Sequence, residues 1–383
     1  MTTLFEHGRK LDHTGLVDDC WLLVDGDTIT GTGTGTGMAP DATTRVDLGG
    51  HWVVPGFIDL HGHGGGGHSF DNGASEIGAA LATHRAHGTT RSIISLVANP
   101  VDALCESLTT IAELAAGDPL ILGSHVEGPF LARDRRGAHN AAYLLDPQRA
   151  TVERLLRAAH GTLRQLTIAP ELPHALEIVD VLVEAGVTVA IGHTEATFEE
   201  ARKAFDRGAR LLTHAFNAMP GIHHRAPGPI LAAFDDDRVT LEIILDGQHV
   251  HPDVAALAFA SAPGRIALVT DAMAAAGSHD GDYSLGSLTV TVRDGLAVLR
   301  GTNTIAGSTL TQDAALRMAV SRAGIEPRAA VEALTRTPAH VLGIDHRFGT
   351  LAAGYAADLV VLDHEWRVLD VWADGRRLDR AER

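Results

Sequence analysis

The sequence predicts an α/β fold: a (β/α)8 TIM barrel with a small β-sandwich domain built from both chain termini. Three observations predict it. Eight apolar β-type runs alternate with stretches of helical period over about 290 residues, with no linker between them. His, Glu or Asp follow the ends of six of those runs, where a barrel of this kind places its reactive groups. Short strand-like pieces occur at both ends of the chain, and neither set can bury a core alone. The expected division is 1–54 and 345–383 for the two parts of the small β domain and 55–344 for the barrel. A chain of 383 residues, 45% hydrophobic and 21% charged, has enough apolar material for that arrangement.

Taken in order, Trp21–Val24 and Arg45–Leu48 read as strands flanking turn formers such as Asp25-Gly26-Asp27. The repeat GTGTGTG at Gly31–Gly37 contains Gly-x-Gly but lacks a strand-turn-helix context and a following basic residue, so it reads as a flexible loop and not a phosphate cradle. The eight barrel runs are Val53–Leu60, Arg91–Leu96, Leu120–Val126, Leu163–Ala169, Val187–Ile191, Arg210–Leu212, Val239–Leu245 and Ile266–Thr270. Helical period marks Ile77–Ala86, Ala103–Ala115, Thr151–Ala159, Ala175–Glu184 and Glu199–Arg207 between them. Leu288–Thr291 and Ala297–Arg300, joined around Arg293-Asp294-Gly295, predict a hairpin inserted after the eighth strand. Helices resume at Leu310–Ala323 and Arg328–Leu334, and Asp358–Asp363, Arg367–Trp372 and Arg376–Leu378 return to strand.

Chemistry begins in VVPGFIDLHGHGGGG, residues Val53–Gly67. Asp59, His61 and His63 follow the apolar run, and the two histidines lie two apart on an extended segment, so their side chains point to the same side and can share an ion. The glycines that follow remove bulk where a ligand would approach backbone. Further along, the strand ends carry His125 and Glu127, then His193, His214, Asp246 with His249, and Asp271. A single His beside a core strand is more often packed than liganding; the recurrence at strand after strand is what points to metal. Histidine and carboxylate without thiolate suit a divalent ion, zinc best, with Fe, Mn or Co as alternatives. One or two ions per subunit can be held if an oxygen ligand bridges. Lysine occurs only at Lys10 and Lys203, one in the terminal β piece and one on a helix, so a bridging carbamylated lysine is excluded. The bridge falls to Glu127, whose plainer reading is a turn or capping residue. Asp271, ending IALVTD, is placed to act as general acid and base.

Composition closes off other classes. A formal charge of −17 opposes a nucleic-acid surface. No apolar run approaches the ~20 residues that span a bilayer, and the start lacks a signal-peptide core. Cys20 and Cys105 form no Cys-x-x-Cys and no disulfide framework, which leaves both without an evident role and fits a cytoplasmic protein.

The stretches PGFIDLHGHGG, HVEGPF with the later GAH, GHT, THAFNAMP, DGQHV, VTDAM and AGSTLT, spanning 55–311 in order, resemble the amidohydrolase superfamily and, within it, the N-acetylglucosamine-6-phosphate deacetylases. The resemblance implies that Glu127, His193 and His214 hold the main ion and that His61 and His63 help bind a second. It implies Asp271 as acid/base residue and His139 beside the sugar or the acetyl carbonyl oxygen. Asn217, the backbone of Ala218 and His249 would contact the sugar phosphate, and Arg225 would reach that phosphate across a dimer interface, making a homodimer. The basic cluster His223, His224 and Arg225 in a chain otherwise acidic supports anion binding, and loop 131–139, with Arg133, Arg135 and Arg136, is a candidate lid. The implied reaction is hydrolysis of an amino-sugar phosphate acetamide in amino-sugar catabolism or cell-wall recycling. The alternatives are an N-acetylgalactosamine 6-phosphate substrate, a cyclic amide, a sugar-phosphate sensor and an inactive scaffold.

Overall fold

A computed structural model describes residues 2–35 and 39–378. Among these, Phe57–Asp59, Thr89–Leu96, Ile121–Glu127, Leu163–Ile168, Thr188–Ile191, Leu211–Leu212, Thr240–Ile243 and Ile266–Leu268 form one eight-stranded sheet in chain order. Every pairing along it is parallel. We refer to these as barrel strands one to eight. Strand two, TTRSIISL, is buried at all of its positions. Its apolar residues Ile93, Ile94 and Leu96 therefore do not alternate with exposed polar ones: helices cover the outer face and side chains fill the interior. The helix Val101–Gly117 shows the complementary pattern, burying Leu104, Leu108 and Ile111 along a single stripe.

The ring closes just beyond the ends of strands one and eight. Gly62 bridges Ala272 in parallel, Asp271 N–H donates to the His61 carbonyl at 2.8 Å, and His63 N–H donates to that of Ala272 at 2.7 Å. Asp59 pins the same seam, its Oδ2 accepting the Thr270 hydroxyl at 2.6 Å.

The first apolar run does not form one strand. Trp52–Pro55 belongs to the terminal sheet and Phe57–Asp59 to the barrel, with Gly56 between them. A Cβ at Gly56 would stand 2.3 Å from Thr90 Oγ1, so only glycine lets the chain pass from one sheet to the other there. The terminal sheet runs Arg376–Arg377, Val368–Ala373, Leu359–Leu362, Trp52–Pro55, Thr2–Asp12, Gly15–Asp25, Thr28–Thr34, with Thr44–Asp47 beside Thr2–Asp12. Both chain ends therefore share it, joined where Val360 pairs with Val54. The sheet folds over on itself: the Phe5 and Trp372 rings meet edge to face at 4.9 Å although three strand spacings, ~14 Å, separate their strands along the sheet. Arg91 fixes it to the barrel by a two-pronged contact with Asp358, at 2.6 and 3.0 Å.

The glycine repeat also departs from expectation. Gly31–Thr34 pairs as strand with the hairpin partner Gly15–Asp25, while Thr36–Met38 lie outside the described residues. The Trp21 indole explains it, since a Cβ at Gly33 would fall 2.4 Å from the ring: the bare glycine strand is the seat of a tryptophan. The inserted hairpin has a third strand, so that Gly281–Leu285, Leu288–Arg293 and Leu296–Leu299 form an antiparallel sheet over the barrel mouth. Short helices at Gly228–Phe234, Pro252–Ser261 and Arg336–Val341 complete the set that sequence periodicity reached only in part. Among the described residues no helix is long and apolar enough to cross a membrane.

Candidate active site

At the C-terminal ends of the barrel strands lies a cavity of about 470 Å³, lined among others by His63, Glu127, His139, His193, His214, Asn217, Ala218, His249 and Asp271. Glu127 is the last residue of strand three, and it is the centre of the cluster. Its Oε1 lies 3.0 Å from His193 Nε2, 3.1 Å from His214 Nε2 and 3.5 Å from His61 Nε2. Its Oε2 lies 3.3 Å from both His63 Nε2 and His139 Nε2. Asp271 Oδ1 approaches His63 Nε2 at 3.3 Å and His61 Nε2 at 3.6 Å. The backbone is bent to make this possible. His193, His214, Ala218 and Asp271 all have positive φ, between 26° and 52°, a left-handed conformation that ordinary residues adopt at some cost.

Hydrogen bonds on the far side of each ring decide what its Nε2 can do. His193 Nδ1 faces the Arg135 carbonyl at 2.8 Å and must donate to it, which leaves the Nε2 lone pair toward the cavity. His61 Nδ1 faces Glu242 Oε2 at 3.0 Å, with the same result. His139 is the opposite case: its Nδ1 accepts from Ala98 N–H at 3.1 Å, so the neutral ring carries its proton on Nε2. His139 thus presents an N–H to the cavity, and the other two present lone pairs. His249 donates Nδ1–H to Asp246 at 2.7 Å.

The electrostatics follow the same division. Burial alone would lift Glu127, but His61, His193 and His139 hold it well below the usual carboxylate range. Asp271 is depressed despite its burial, chiefly by His61 and His63. His63, which burial would lower, is pushed up to about 9 by Asp271 and Glu127. In His139 burial prevails over Glu127 and the ring falls to about 4, so it is neutral at physiological pH.

Among the described residues, two groups have potential ligand atoms all within 4.8 Å of one another: His61, His63 and Asp271, and Glu127, His139 and His193. His214 adjoins the second group. Its Nε2 and that of His193 face each other at 3.0 Å, where only one proton can sit between two nitrogens. Nitrogen and oxygen lone pairs crowded at such distances, without thiolate, fit a divalent metal. The side chains expected to be ligands converge, and His139 joins them at a distance its tautomer makes unsuitable for ligation.

Other expected residues fall elsewhere. His125 is packed in the interior between Ser95 and Thr167 at 3.0 and 2.9 Å, and burial together with the nearby His61 pushes its pKa well below the ordinary range. Asp59 serves the barrel seam. Lys10 is buried beside Asp12, and Lys203 sits on the helix Phe198–Asp206, so neither reaches the cavity. Arg225 is exposed on a loop with His223 and His224 and does not line the cavity of its own chain, whereas Arg135 and Arg136 of the loop 131–139 do. Sequence reasoning missed Glu242, which lies fully buried in strand seven; its one signal is a charged residue inside the core strand TLEI.

The amidohydrolase family model matches residues 52–378. The chain is 35% identical to the N-acetylgalactosamine-6-phosphate deacetylase of Escherichia coli O157:H7, over 98% of this chain and 99% of that one. It is 36% identical to the N-acetylglucosamine-6-phosphate deacetylase of Bos taurus, over 89% and 87%. Among solved structures it resembles an aspartate-to-alanine mutant of the N-acetyl-D-glucosamine-6-phosphate deacetylase of Mycobacterium smegmatis in complex with N-acetyl-D-glucosamine-6-phosphate, with 42% identity, a TM-score of 0.93 and 99% of each chain covered. Strand-end histidines and carboxylates, barrel and family match agree, and the chain belongs to the amidohydrolase family.

Proposed function

We propose that the protein hydrolyses the acetamide of N-acetylglucosamine 6-phosphate, releasing acetate and glucosamine 6-phosphate. The observation that carries the reading is the convergence of Glu127, His193 and His214 at 3.0 to 3.1 Å beside Asp271 and an Nε2-protonated His139. Glu127, His193 and His214 hold one divalent ion, zinc by preference, and His61 with His63 helps hold a second. When bound, the metal supplies Lewis acidity, polarising an amide carbonyl and lowering the pKa of water. Asp271 removes a proton from the attacking water and returns it to the leaving amine nitrogen as the C–N bond breaks. His139 donates Nε2–H to the acetyl oxygen as charge builds there. Asn217, the Ala218 backbone and His249 line the same cavity and take the phosphorylated end of the sugar. Arg225, exposed on its loop, reaches the phosphate in a partner's cavity, so the working form is a homodimer in the cytoplasm.

The second reading, N-acetylgalactosamine 6-phosphate as substrate, is favoured by the Escherichia coli O157:H7 relative. An acetate-release assay on the two N-acetyl sugar phosphates and their unphosphorylated parents, with metal analysis of the same preparation, separates these. Fastest turnover of N-acetylglucosamine 6-phosphate is expected. Acetate release from neither phosphate would remove the assignment.

A further inference from the structure

Glu242 lies at the middle of the barrel interior with no exposed surface. Its Oε2 accepts from His61 Nδ1 at 3.0 Å and from the backbone N–H of His214 at 3.2 Å. Its Oε1 accepts from Gln165 Nε2 at 2.9 Å. One carboxylate therefore spans the barrel from strand seven to strand four, and touches the side chain of one candidate ligand and the main chain of another. A buried carboxylate is costly unless it is hydrogen-bonded, and this one spends its bonds on the metal side of the barrel.

We propose that Glu242 is a positioning residue for metal binding: it holds His61 in the Nδ1–H tautomer, keeps the Nε2 lone pair aimed at the cavity and raises its basicity. The inference rests on the reading of His61 as a ligand. On the other side of the carboxylate, Gln165 Oε1 is a buried atom without a partner. If residue 242 became glutamine, its amide oxygen could keep the bonds to His61 and His214, while Gln165 turned its amide over and accepted from the new NH2 through that oxygen. Glu242→Gln therefore removes charge with the bonding pattern intact, and Glu242→Leu removes the acceptor as well.

The test is zinc affinity of the full-length protein, by competition with a chromophoric chelator, together with the melting temperature of each metal-free variant. Loss of such an outer partner weakens metal binding ~10- to 100-fold. We expect about tenfold weaker binding of the ion held by His61 in Glu242→Gln and about 100-fold in Glu242→Leu, with the metal-free melting temperature of the Gln variant unchanged. In a His61→Gln background, Glu242→Gln should add nothing, since the positioning role has lost its object. If wild type and Glu242→Gln bind zinc equally well, this inference falls and the deacetylase reading stands. A full additive loss in the His61→Gln background also overturns it. A wild type that binds no zinc removes both. Should the Leu variant fail to fold, the Gln variant decides alone.

Discussion

Replacing Asp271 by Asn is the sharpest perturbation of the proposed chemistry, and the structure says why asparagine and not alanine. Asp271 has φ of 45°, a left-handed conformation in which Asn is well tolerated and Ala is strained. Its backbone N–H donates to His61 and its carbonyl accepts from Ser308 N–H at 2.7 Å, so any strain would spread directly to a ligand and to the barrel seam. With Asn these bonds persist, and the change reduces to the loss of a proton acceptor 3.3 Å from His63 Nε2. Loss of a general acid/base lowers rate by ~10²- to 10⁴-fold, or about 2.7 to 5.4 kcal/mol of transition-state stabilisation. Glu127, His193 and His214 are untouched, so the main ion should stay. The expected result is kcat at least about 100-fold lower in the acetate-release assay, with the main metal still bound in the same sample. Turnover within about tenfold of wild type, with metal retained, would refute the acid/base role of Asp271.

Three other outcomes follow from the geometry. Arg225→Ala should raise KM for the phosphorylated sugar at least about tenfold and leave the unphosphorylated sugar unaffected, since a charge-assisted contact to phosphate is what it loses; equal effects on both would exclude phosphate contact. Asp71 is pushed up to about 6 by burial, with Oδ2 unpartnered. A raised acid costs stability as pH climbs from its unfolded pKa of ~3.9 through its folded one. Metal-free Asp71→Asn should therefore match wild type near pH 4 and exceed it by roughly 3 kcal/mol at pH 7, read from denaturant melts. Gly56→Ala should destabilise by ~1 to 3 kcal/mol, because the new methyl meets Thr90 at 2.3 Å; an unchanged melt would show that the junction has slack.

The barrel and most of its mouth were legible because parallel strands buried on both faces are written largely as apolar runs, and the histidines and carboxylates that line the cavity sit within a few positions of their ends. The junction at Gly56 was not, for the same reason: an apolar run carries no mark where it leaves one sheet for another. The strand at Gly31–Thr34 was hidden because its packing side chain, Trp21, belongs to the neighbouring strand. His125 and His193 look alike in sequence, each just past or within a core run, and only the tertiary partners separate a packed ring from one facing the cavity. Glu242 was passed over since its object, the far nitrogen of His61, lies 181 residues earlier in the chain.

The seam where strand eight meets strand one has a consequence for how the protein is made. His61 and His63 emerge from the ribosome some 200 residues ahead of Asp271, yet the main-chain bonds that tie the two segments together join Asp271 and Ala272 to His61 and His63. A growing chain thus lacks the main-chain bonds of this seam until the last stave of the barrel has been synthesised. Ring closure is also what brings Asp271 beside the early histidines, and any nascent fragment ending before Asp271 is born without its carboxylate.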